Sequence, residues 1–361
     1  MKQYAKTLLA SALIAGAGSA SAAGTPTLGE VLDASGVEVS GYIDTSYTYN
    51  TRGETTNRVF DTEPNSFNLN MLGLSISSLP DEGFGGAVVL NAGEDADVTA
   101  AAGTGNNDQF DVQQAYVNYA SGATQVMFGK LATLQGAEVI ESKDNWNFSR
   151  SILFGFAIPF THTGVRTSYA VSDALSLTAG VNNGWDNLKD DNDAKSLELQ
   201  ASYAPADNWF VSVQGIAGNE DNGFNKSETR SLVDIVAGYD LSDSLSFMFN
   251  ADFGSQDKGA GATGNKDADW KGYAGYVNFK VDPQWRVAGR IEYFDDEDGF
   301  RSGTSQEWKE STATVAYAPM KRVELRGEWR YDWSDERTFL DDGGKFKKNQ
   351  TTLAVEALYM F

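Results

Sequence analysis

Cysteine is absent from this 361-residue sequence, histidine occurs once and proline only seven times. Without cysteine there is no disulfide framework and no thiolate metal site, and one histidine cannot supply the usual imidazole clusters. A Ser–His–acid hydrolase would have to use His162. That residue sits in "PFTHTG", where a structural role is expected. No stretch of about 20 apolar residues occurs, which excludes a membrane-spanning helix, and the mean hydropathy is −0.37. Basic residues are also scarce, 28 against 50 acidic ones, for a net charge of −22. Such a surface repels nucleic-acid phosphates. The acidic runs "DNLKDDND" (186–193) and "DDEDG" (295–299) lack the EF-hand loop pattern. The reading is therefore a chain with no enzyme activity, no cofactor, no metal and no nucleic-acid partner.

One apolar run stands out near the start, "LLASALIAGAG". It follows Lys2 and Lys6 and precedes Ala20-Ser21-Ala22, the order of a secretory signal peptide over residues 1–22. Residues 23–36 read as a lead segment able to hold a short helix. Residues 37–361 carry one continuous pattern with no compositional break.

That pattern is alternation. In "VEVSGYIDTSYTY" (37–49), Val39, Ile43, Tyr47 and Tyr49 share one face, and Ser40, Tyr42, Asp44 and Thr48 the other. In "KRVELRGEWRY" (321–331), Val323, Leu325, Trp329 and Tyr331 oppose Arg322, Glu324, Arg326, Glu328 and Arg330. A period of two is a strand with one apolar and one polar face. Short connections such as "VSDA", "LSDS" and "VDPQ" alternate with long polar ones, including 131–161, 219–229 and 254–269. The sequence therefore predicts an all-β, up-and-down antiparallel barrel of about 16 strands, with short periplasmic turns and long extracellular loops.

The polar faces carry more arginine, glutamate and asparagine than a dry sandwich core could satisfy. The aromatics Tyr47, Tyr49, Trp209, Phe210, Trp285, Trp329, Tyr331, Tyr359 and Phe361 fall at strand ends, where an interfacial girdle would stand. The expected environment is a membrane, with the apolar face on lipid and lipopolysaccharide and the polar face on a wet lumen. The ending "TTLAVEALYMF" (351–361) places Leu353, Val355, Ala357, Tyr359 and Phe361 on one face. It reads as the closing strand, and its end, with Tyr359 and Phe361, resembles the C-terminal signature of bacterial outer-membrane proteins that their assembly machinery recognises.

Two stretches resemble the OmpL-like β-barrel porin family of proteobacterial outer membranes: "VSGYIDTSYTYN" (39–50) and "NWNFSRSILFGFAIPFTHTGVRTSY" (145–169). The resemblance implies passive diffusion of small hydrophilic solutes across the bacterial outer membrane, and a homotrimer is the common assembly of 16-stranded porins. A substrate-selective sugar or anion channel and a surface adhesin or receptor are the alternatives.

The longest connection, 131–161, is unusually apolar for a loop, with Ile152, Leu153, Phe154, Phe156, Ile158 and Phe160. It is expected to fold into the barrel as a constriction loop and to present Glu138, Glu141, Asp144 and Arg150. The alternation turns Arg166, Arg286, Arg290, Arg322, Arg326 and Arg330 inward as candidate pore-lining residues. They are expected to face the acidic loop across the pore, or to brace the wall with Glu292, Glu324 and Glu328.

Overall fold

The computed structural model describes residues 27–102, 104, 108–224 and 226–361. The expected signal peptide lies outside the described residues. The first element is a helix, α1 (Leu28–Ser35), in the lead segment. Thr27 caps it: its hydroxyl accepts the Glu30 N–H, and Glu30 returns a carboxylate to the Thr27 N–H at 2.7 Å.

Sixteen antiparallel strands then close a barrel. They are β1 (Glu38–Asn50), β2 (Phe67–Ser78), β3 (Gly83–Ala92), β4 (Phe110–Ser121), β5 (Thr124–Ala132), β6 (Thr161–Ala170), β7 (Leu175–Asn182) and β8 (Ser196–Ala206). They continue through β9 (Trp209–Asp221), β10 (Ser227–Asp240), β11 (Leu245–Ala260), β12 (Lys266–Lys280), β13 (Trp285–Asp296), β14 (Gln306–Met320) and β15 (Val323–Ser334). A small hairpin, β16 (Phe339–Leu340) with β17 (Phe346–Lys347), decorates the last loop before β18 (Asn349–Met360). Each barrel strand pairs with its sequence neighbour, and β18 pairs with both β15 and β1. A helical turn, α2 (Glu94–Thr99), sits in the loop between β3 and β4.

Three of the tight turns repeat one device. In 171–175, 241–245 and 281–285 the second residue is Ser172, Ser242 or Asp282. Its side-chain oxygen accepts the N–H three residues on, at 3.1, 3.1 and 2.9 Å. This local bond sets the reversal without help from the sheet. On the other rim the expected loops 219–229 and 254–269 shrink to 222–226 and 261–265, because β9 to β12 run on past the apolar band. Those extensions are polar on both faces, so alternation of apolar residues could not reveal them.

The outer face is apolar. Leu353 and Val355 of β18 are 50% and 59% exposed, and Phe67 and Phe84 more so. An exposed band of this extent is favourable only against lipid. Aromatic pairs gather at both rims: Trp285 stacks on Tyr317 at 4.4 Å, and Tyr331 on Trp333 at 5.3 Å. The inner face is polar, and Asp44, Asn70, Gln113, Asn250, Arg290 and Arg330 are all buried there.

Candidate functional site

Between β5 and β6 the chain leaves the wall at Thr133 and returns at Phe160, where Thr133 N donates to Phe160 O at 3.0 Å. The excursion crosses the lumen. Gly136 N donates to Asp234 Oδ2 on β10 (2.8 Å), and Ala137 N to Asn250 Oδ1 on β11 (3.2 Å). Farther along, Ser142 Oγ donates to Glu356 Oε1 on β18 (2.5 Å) and Asn147 Nδ2 to Thr314 Oγ1 on β14 (2.7 Å). Trp270 Nε1 of β12 donates to Ala157 O at 3.1 Å. The loop thus lies on the inner faces of β10 to β15 and β18 and reaches β1.

Apolar burial draws it there. Ile152, Leu153, Phe154 and Ile158 are buried against Trp270, Phe294 and Trp308, which point inward from β12, β13 and β14. Phe156 meets Trp308 edge-on at 5.0 Å, and Phe154 meets Phe60 at 5.8 Å. Gly272 makes room, since a Cβ there would lie 2.7 Å from Leu153 Cδ1. Each large side chain so removed from water is worth about 1.5–3 kcal/mol.

Two wall carboxylates hold the loop backbone. Glu328 of β15 accepts the consecutive N–H groups of Phe148 (2.8 Å) and Ser149 (3.0 Å). Glu292 of β13 accepts those of Ile152 (3.0 Å) and Leu153 (3.1 Å), at the start of a π-helical turn, Leu153–Ala157. Bonds to an ionised acceptor are stronger than neutral ones, and orphan N–H groups at a helix start are their natural donors.

The arginines complete the fastening. Arg290 reaches Glu310 (2.6 Å), Glu292 (3.2 Å) and, across to the loop, Glu138 (2.7 Å) and Ser149 O (2.7 Å). Arg330 pairs with Asp332 (2.7 Å) and donates to Arg150 O (2.6 Å). Arg326 joins Glu324 (2.5 Å) and Glu356 (3.1 Å) and reaches Ser142 O (3.1 Å). Arg286 joins Glu324 and Trp146 O, both at 2.6 Å. Arg166 stands apart, in a forked pair with Glu198 at 2.8 and 2.9 Å.

These positions change several sequence expectations. The five arginines named above are inward, as the alternation predicts. Arg322 is not among them: it lies exposed in the turn before β15, where the strand has not yet begun. The expected gap between arginine wall and acidic loop is closed by direct contact, Arg290 on Glu138. Glu138 also accepts the Ser151 N–H at 2.6 Å. Arg150 does not face the pore. Buried inside the loop, it donates to Val139 O (3.2 Å), Phe148 O (2.8 Å) and Ile140 O, with Phe60 under its guanidinium. Asp144 is exposed beside Lys143, and Glu141 is half-buried. Burial and the Asp144 charge raise the Glu141 carboxyl above its usual range. His162 is buried between Thr133 Oγ1 (3.2 Å) and Gly184 O (3.1 Å), a brace at the loop's neck.

The inward aromatic patch Trp270, Phe294 and Trp308 was missed by sequence reasoning, as were the carboxylates Glu310, Asp332 and Glu356. Their phase was readable: in "DADWKGYAGY" (267–276) Trp270 and Tyr276 fall opposite the outward Tyr273.

The opposite wall is built differently. On β3 and β4 the buried amides of Asn91, Gln113 and Asn118 have no partner among the described residues. Asp111 of β4 is paired with Lys130 at 2.8 Å, so the inner face there is polar, while that of β10 to β15 is taken up by the loop.

No curated protein matches the sequence. Among solved structures, the outer membrane channel DcaP of Acinetobacter baumannii is similar at a TM-score of 0.63 and 16% identity, over 90% of this chain and 97% of that one. OprB of Pseudomonas putida is similar at 0.65 and 12% identity, over 92% and 96%. A trimer form of OmpT of Vibrio cholerae gives 0.61 and 13% identity, over 90% and 99%. At such identities the likeness concerns the fold. A family model, beta-barrel porin-2, OmpL-like, matches residues 36–361. The chain belongs to that family and is an outer-membrane porin.

Proposed function

We propose that solutes cross by passive diffusion between the inner loop and the wall of β2 to β9, and that the loop is a fixed constriction rather than a moving gate. The observation that carries this reading is the pair of carboxylates, Glu292 and Glu328, each receiving two consecutive loop N–H groups. A loop so fastened, with Glu138 bonded to Arg290, has little freedom to swing. Because the wall arginines are neutralised by carboxylates, they do not form a free anion ladder, and the acidic excess of the chain favours cations. Three copies are the assembly proposed, in line with the trimer form described for OmpT.

The test is single-channel recording in planar bilayers. Deleting about residues 145–156 should raise conductance severalfold and leave the barrel folded. Unchanged conductance in a folded deletion variant would remove the loop from the conducting path.

A further inference from the structure

Around Tyr42, buried polar atoms are left without partners among the described residues. Tyr42 and Asp44 point inward from β1 and are 2% and 1% exposed. The Tyr42 ring lies over Gly73, whose Cβ, if present, would come within 2.3 Å of it. Its hydroxyl has no hydrogen-bond partner among the described residues. Asp44 receives Asn70 Nδ2 on Oδ1 at 3.0 Å, and its Oδ2 has no partner. Asp95 is on α2, which packs on β2: a Cβ on the preceding Gly93 would lie 2.5 Å from Asn70 O, and Asn70 is the residue that bonds Asp44. Glu141 directly precedes Ser142 and Lys143, which reach Glu356 and the Tyr42 ring. The guanidiniums nearby are engaged elsewhere: Arg150 spends three donors on loop carbonyls, and Arg326 is paired with Glu324 and Glu356. Buried acceptors in this state demand a donor.

One ammonium group already stands at the edge of the cluster. Lys143 Nζ, on the loop, lies 5.8 Å from the centre of the Tyr42 ring and 2.5 Å from Asp144 Oδ2. That separation is within the range of a cation–π contact. We propose that Tyr42, Asp44 and Asp95 form a binding site for the primary ammonium group of small cationic solutes, with the Lys143 side chain as a tethered competitor. An ammonium offers three donors and no acceptor, which suits the free Asp44 Oδ2, the Asp95 carboxylate and the Tyr42 hydroxyl oxygen. The ring face favours it over Mg²⁺, which keeps an octahedral shell of oxygens. A quaternary ammonium has the charge but no N–H.

The inference rests on the channel reading above. The experiment uses the full barrel in planar bilayers with potassium chloride at pH 8 and n-butylammonium as the probe. Butylammonium should block the current, and the half-blocking concentration should rise at least tenfold in Asp44→Asn and in Asp95→Asn. It should fall severalfold in Lys143→Gln. Tetramethylammonium and Mg²⁺ should block at least tenfold more weakly. Equal block by all three cations, or a half-blocking concentration unmoved in the Asp95→Asn barrel, overturns the site while leaving the channel intact. Asp95 lies off the barrel wall, so that variant remains informative even if Asp44→Asn does not assemble. A folded wild-type barrel that passes no current overturns the channel reading itself.

Discussion

Arg290 Nη1 of β13 lies 2.7 Å from Glu138 Oε1 of the inner loop, and both side chains are buried. Arg290 is also the counter-charge for Glu292 and Glu310. Removing it therefore leaves Glu138 without its guanidinium, and Glu292 and Glu310 with only Arg330 among the described residues, 3.6 Å from Glu310. Breaking a buried pair from one side costs on the order of 3–5 kcal/mol. Arg290→Met should lower the temperature at which the heat-modifiable folded band is lost on gels. Glu138→Gln, which keeps a hydrogen-bond acceptor, should cost less. Equal thermal resistance of Arg290→Met and wild type would mean the cluster does not secure the loop.

Loop anchoring also has a direct electrical signature. Glu292→Ala with Glu328→Ala strips four N–H groups of their acceptors. The loop should then sample several positions, and single-channel traces should show added sublevels and open-channel noise. A quiet trace with one level would argue that apolar packing against Trp270, Phe294 and Trp308 suffices.

Closure of the barrel depends on two residues at its seam. Gly41 and Phe361 exchange backbone hydrogen bonds, both at 2.9 Å, and the Phe361 ring occupies the space over Gly41, where a Cβ would lie 2.5 Å from Cζ and 2.7 Å from Gly73 O. Gly41→Val should impair closure, because a backbone oxygen cannot move aside. Deleting Phe361 removes the same seam contacts and the terminal aromatic. Both variants should show less folded barrel in outer-membrane fractions, and wild-type levels in both would refute this account of the terminus.

The acidic cluster gives the current a pH dependence. Burial pushes the Asp95 carboxyl up to about 7 from an ordinary 3.8. Arg150 holds it down, while Asp61, Glu94 and Glu356 push it up. A carboxyl raised in the folded state stabilises the fold below its ordinary pKa, and that contribution is lost as pH rises through about 7. The ionised fraction grows over the same interval, so cation preference should increase from pH 6 to pH 8. Low salt is needed, because screening acts within about 10 Å at 0.1 M. Reversal potentials across a potassium chloride gradient check this. The step should vanish in Asp95→Asn, and its persistence there would assign it to other groups.

Alternation alone determined most of the architecture. The sixteen strands, their order and which side chains turn inward all follow from a period of two between local turn signals, because a strand exposes opposite faces at successive residues whatever lies beside it. The turn bonds of Ser172, Ser242 and Asp282 are equally local. The apolar run from Ile152 to Phe160 likewise told that loop 131–161 would seek cover. Sequence could not decide against what it would pack, since Trp270, Phe294 and Trp308 come from three strands and meet it only in the closed barrel. Nor could it tell that Arg150 turns into its own loop, that Glu138 bonds to Arg290 rather than facing it across water, or that Asp44 Oδ2 is left without a partner among the described residues. Each depends on distances between residues far apart in the chain, and electrostatic pairing falls within reach only once the tertiary structure has fixed them.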